Sequence, residues 1–65
     1  MDHVFEVLIL EAPTKQEQEE GKLERIVYGP KVVVAKDSFT ATLDSVLDCK
    51  EPFDRARMVA KVRPF

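Results

Sequence analysis

The chain of 65 residues has one cysteine, one histidine, two glycines, no tryptophan and no long apolar run. A single cysteine forms no internal disulfide and builds no cysteine-based metal site unaided, so the usual staples of very small domains are missing. The longest apolar stretches, Val7-Leu8-Ile9-Leu10 and Val32-Val33-Val34-Ala35, fall far short of the roughly 20 residues a membrane span needs. The amino terminus lacks the basic-then-apolar layout of a signal peptide, and the expectation is a protein neither secreted nor held in a membrane. One histidine in third position gives no credible Ser/His/Asp order, and Gly21 and Gly29 alone make no phosphate-cradling loop. No enzymatic activity, cofactor or metal is expected.

What is present is a mixture of 45% hydrophobic and 34% charged residues, too apolar and too well mixed in sign for a disordered chain. A domain of this size hides only about 60% of the surface its unfolded chain exposes, so it folds alone marginally or leans on a partner, and its stability must come from packing, oligomerisation or a host surface.

Residues 3–10 (HVFEVLIL) are β-branched and aromatic-rich, too short for a typical helix, and apolar on both faces, which predicts a central strand. Ala12-Pro13 ends it, because proline donates nothing to a ladder. Residues 14–24 are almost wholly polar. Thr14-Lys15-Gln16-Glu17 has capping-box spacing and Gly21 is a plausible stop, so a solvated helical turn between strands is expected. Residues 25–36 (RIVYGPKVVVAK) predict a second strand bent or bulged at Gly29-Pro30, pairing with the first as an antiparallel hairpin.

A helix is predicted after Asp37 or Ser38, with Phe39, Leu43, Val46 and Leu47 on one buried face and Asp44, Ser45 and Asp48 toward water. It ends at Cys49-Lys50-Glu51-Pro52, since proline forces the residue before it out of helical geometry. Residues 57–63 alternate, with Met58, Ala60 and Val62 on one side of a half-exposed third strand. Phe53 and Phe65 are expected to plug the ends of the core. The expected fold is a single α+β domain over residues 1–65, with a β-β-α-β order and a three-stranded, mainly antiparallel sheet carrying one helix on one face.

One helix of three turns covers one face of such a sheet and no more. The other face has nothing in this chain to cover it, and such patches mark interfaces. Val4, Leu8, Leu10, Val32 and Val34 are the expected contact residues, and Arg57, Lys61 and Arg63 the orienting charges. Residues 1–49 carry a net charge of −5 and residues 50–65 a net of +3. That split suits a homo-oligomer or a larger protein assembly, in which the basic strand meets the acidic segment of a neighbour. It suits nucleic acid less well, because Tyr28, Phe53 and Phe65 are not interleaved with the basic residues. His3 has no metal-ligating cluster around it, Cys49 at a helix end reads as an inert small residue, and Asp44 and Asp48 read as a solvated face.

Ala12-Pro13-Thr14-Lys15 before a Glu-rich stretch, Gly29-Pro30 then Val33-Val34-Ala35-Lys36-Asp37 before a helix, and the closing Phe53-Asp54-Arg55 and Val62-Arg63-Pro64-Phe65 resemble small uncharacterised proteins encoded in tailed-phage genomes. The resemblance spans most of the chain and brings no catalytic residues. It implies a setting in the virion or the host cytoplasm. There the chain would serve as a minor, decoration or cement protein of a shell, or alternatively as a regulator or inhibitor that binds one host protein.

Overall fold

A computed structural model of the chain describes residues 2–65. Its order is β1 (His3–Glu11), α1 (Lys15–Glu19), β2 (Arg25–Ala35), α2 (Ser38–Asp48), a short 3-10 turn (Arg55–Arg57) and β3 (Met58–Pro64). The fold is a small α+β domain, as the sequence predicts. The strands form one antiparallel sheet in the order β2-β1-β3, which places the strand that is apolar on both faces in the centre.

Local chemistry sets the element boundaries. β1 stops before Ala12-Pro13. Thr14 and Glu17 then close a reciprocal capping box: the Glu17 amide donates to the Thr14 hydroxyl at 3.1 Å and the Thr14 amide to the Glu17 carboxylate at 3.0 Å. The expected bend in β2 falls at Gly29, which sits at a φ of 81° beside a register shift in the β1–β2 ladder. A Cβ there would run into the Val7 carbonyl oxygen, so the close pairing at this point requires glycine. Asp37 caps α2, its carboxylate accepting from the Thr40 amide at 2.7 Å.

The core lies between the sheet and α2, and is built from Phe5, Val7 and Ile9 of β1, Val27 and Ala35 of β2, and Ala41 of α2. Val33, Val46, Cys49, Phe53, Met58 and Val62 pack around it. Phe53 thus closes the core as expected, whereas Phe65 is exposed.

The rotation of α2 corrects the sequence expectation. Ala41 and Ser45 face the sheet at 0% and 1% exposure, while Phe39, Leu43 and Leu47 are exposed on the far side. Of the expected buried stripe only Val46 contributes to the core. The sheet already fills the interlayer space with large side chains, so the helix fits with its small residues inward. Ser45, expected to face water, is buried because its hydroxyl donates to the Ala41 carbonyl at 2.8 Å and leaves no unpaired polar group.

Candidate functional site

The sheet face turned away from α2 is the candidate site. β1 contributes its even-numbered residues, and the ladder aligns their neighbours. Val4 stands opposite Val34, Glu6 between Val32 and Arg63, Leu8 opposite Lys61, and Leu10 between Ile26 and Val59. Side chains directly opposite on one face are in contact range, so these residues form one surface. Its β2 and β1 part is aliphatic and its β3 part is basic. Val4, Ile26, Val32 and Val34 are exposed, Val32 and Val34 at 51% and 61%, and Leu8 is half-buried. A shallow depression lined by Glu6, Leu8, Pro30, Lys61, Val62 and Arg63 runs through the middle of it.

The charges on this face differ in what they hold. Arg63 donates through Nε and Nη2 to one Glu6 oxygen at 2.7 and 2.6 Å, a pair tied across the strands. Lys61 has no carboxylate within 4.0 Å among the described residues. It is the face's uncompensated cation.

Two of the expected contact residues are not open on this face. Leu10 is only 7% exposed, because Pro13, Gln18 and residues 21–24 fold toward that end of the face and line a hollow with it and Ile26. Arg57 is not an orienting charge on the open surface. Its guanidinium donates to the Ala12 carbonyl at 2.8 Å and pairs with Glu17 and Asp54 at 3.3 Å and with Glu11 at 3.6 Å. Only Asp54 lies within reach along the sequence; Glu11, Ala12 and Glu17 are 40 or more residues away, so spacing gave no hint of their engagement.

Glu11 is the hub of that cluster. Its largely buried carboxylate accepts the Asp54 backbone N–H and pairs with Arg25 at 3.2 Å; Arg25 in turn reaches Glu51 at 2.7 Å and the Pro52 carbonyl at 3.0 Å. The Asp54 amide, then the Arg25 and Arg57 guanidiniums, hold the Glu11 carboxyl below its usual range. Glu17 is lowered as well, by its bond from the Thr14 amide and, more weakly, by Arg57. One end of the sheet is thereby clamped by charge while the other end is left open.

The remaining candidates are structural. His3 stands edge-on to Phe5 with ring centroids 6.3 Å apart. The Cys49 thiol donates to the Val27 carbonyl at 3.3 Å, tying the end of α2 to β2. Asp48 does more than face water: it accepts from the Tyr28 hydroxyl at 3.0 Å and from Lys31 at 3.3 Å, which lowers its own carboxyl and raises the Lys31 ammonium. Burial, and then this bond to Asp48, raises the Tyr28 phenol. No cluster of three or more His, Cys, Asp or Glu with metal-binding geometry occurs among the described residues. Among the described residues no helix is long and apolar enough to cross a membrane.

A second apolar surface, which the sequence pattern marks as a stripe but assigns to the core, lies on the outside of α2. Phe39, Leu43 and Leu47 follow at i, i+4 and i+8 and are 76%, 47% and 71% exposed. Asp44 lies on the flank of α2, lining a groove with Tyr28, Lys31, Val32 and Asp48, and has no basic group within 4.0 Å among the described residues. No family model, no curated protein and no solved structure matches this chain.

Proposed function

We propose that the chain is a non-enzymatic interaction subunit that takes its place in a larger protein assembly through surfaces on both of its layers. The observation that carries this reading is the pair of uncovered apolar surfaces, Val4, Val32 and Val34 on the sheet and Phe39, Leu43 and Leu47 on the helix. Exposed apolar patches on so small a molecule cost solubility unless a partner covers them. A two-sided sticky subunit suits the virion decoration or cement setting that the phage resemblance implies. A second reading, a regulator that binds one host protein, draws support from β3, whose outer edge has no strand beside it among the described residues and is open to strand addition.

The test compares the wild type with a variant carrying Val34→Glu and Leu43→Lys, by light scattering and by affinity capture from lysate of the cells in which the protein is made. The wild type is expected to form a discrete oligomer or to retain one stoichiometric protein. The variant is expected to lose that association while keeping the same helical circular dichroism. A capsid or tail protein on the wild type supports the assembly reading, and a single host protein supports the regulator. Identical behaviour of the two chains in both assays overturns the interaction reading.

A further inference from the structure

We infer that the outer sheet face receives the α2 stripe of a second copy, so that the chain assembles head to tail by helix-on-sheet stacking. This inference rests on the interaction reading above and names the partner.

Charge is the first argument. α2 carries Asp44 and Asp48 and no lysine or arginine between Ser38 and Asp48, whereas the sheet face carries Lys61 and Arg63 on β3. Asp48 and Arg63 are already occupied within the chain, by Tyr28 and Lys31 in one case and by Glu6 in the other. That leaves Asp44, exposed on the flank of α2, and Lys61, beside the aliphatic part of the face, as the group of each sign on these two surfaces without an ion pair among the described residues. Docking the stripe on the face brings these two together, whereas packing two sheet faces together adds a second Lys61 and no free acid from either face.

Size is the second argument. The excursion at residues 13–24 covers the Leu10 end, so the open stretch of the face along β1 is residues 4–8, about 16 Å at strand rise. The 11 residues of α2 span about the same length at helix rise. The sheet itself points the same way. Its central strand carries apolar residues on both sides, Phe5, Val7 and Ile9 toward α2 and Val4 and Leu8 away from it, and this chain covers only the first set. A neighbour's α2 covers the second.

Because the two surfaces lie on opposite sides of the molecule, the contact is heterologous, and repetition gives a closed ring or an open stack. The experiment uses two full-length variants, one with Val34→Glu on the sheet and one with Leu43→Lys and Leu47→Lys on the helix. All of these positions are exposed, and unchanged helical circular dichroism and thermal midpoint verify that each variant is folded. Wild-type mass by light scattering is expected to rise past that of a dimer with concentration, and each variant alone is expected to run as a monomer. A mixture of the two is expected to form a 1:1 dimer, because each retains the surface the other has lost. A helix variant that still associates as the wild type does overturns the inference in favour of sheet-to-sheet packing. A wild type that stays monomeric at every concentration, with a monomeric mixture, also overturns it. In that case the interaction reading stands or falls separately on whether a foreign protein is captured through Val34 and Leu43.

Discussion

Between residues 4 and 9 the apolar side chains on the two faces of β1 are similar in kind and opposite in fate. Phe5, Val7 and Ile9 point toward α2 and are buried, whereas Val4 and Leu8 point away and are exposed or half-buried. Apolar character therefore does not decide burial in a chain this short. The supply of covering elements decides it, and one helix covers one face. The same shortage acts on α2, which turns two small residues inward and leaves Phe39, Leu43 and Leu47 outside. On both layers, side chains as apolar as those of the core are left at the surface, where a partner would reach them.

The largest test of this contrast is truncation on either face. Ile9→Ala removes fully buried methyl groups and is expected to cost about 2–5 kcal/mol, enough to unfold much of a domain with little stability to spare. Val34→Ala on the bare face is expected to cost about 0.5 kcal/mol or less in the monomer. Urea midpoints of the two variants check the difference, and equal losses would break the assignment of covered and bare faces.

A smaller effect probes the inverted helix. Ala41→Leu inserts three carbon atoms into the tight helix–sheet contact and is expected to destabilise by about 1–3 kcal/mol, although leucine is the larger hydrophobe and a good helix former. Thermal unfolding measures it. A stabilised variant would mean that α2 is rotated the other way, with the Phe39, Leu43 and Leu47 stripe inside.

The smallest effect concerns the clamped end of the sheet, set against its open end. The Glu11 carboxyl titrates below its ordinary value of 4.5, so the fold favours its charged form. Its contribution to stability is complete above the unfolded value and is lost as pH falls through the folded one. The thermal midpoint of the wild type is therefore expected to drop between pH 5 and pH 3, about the range in which free carboxylates titrate. In Glu11→Gln that drop should be shallower, from a lower midpoint at pH 7. Parallel acid profiles of the two chains would remove Glu11 from its place as hub of the clamp.

Much of the fold was legible because its signals are local. The capping box at Thr14 and Glu17, the stop at Ala12-Pro13, the cap at Asp37 and the break before Pro52 each depend on residues within a few positions of one another. The doubly apolar strand foretold its central place and the uncovered face beside it. The candidate site was legible in Val4, Leu8, Val32, Val34, Lys61 and Arg63, which the ladder brings onto one surface. It was not legible in Leu10, which the excursion covers, or in Arg57, whose partners Glu11, Ala12 and Glu17 lie 40 or more residues away in sequence.

The sequence by itself determined the elements, their order and the sign of each surface, because hydrogen-bonding side chains, proline, glycine and alternation act on the backbone within a turn or a strand. Tertiary structure alone decided which side of α2 meets the sheet and which charged groups are spent inside the chain. Those outcomes depend on the volume left between two layers and on distances between residues far apart in sequence. Bulky side chains on β1 and β2 fill that volume, Ala41 and Ser45 are what fits against them, and the large residues of the helix are turned outward as a consequence.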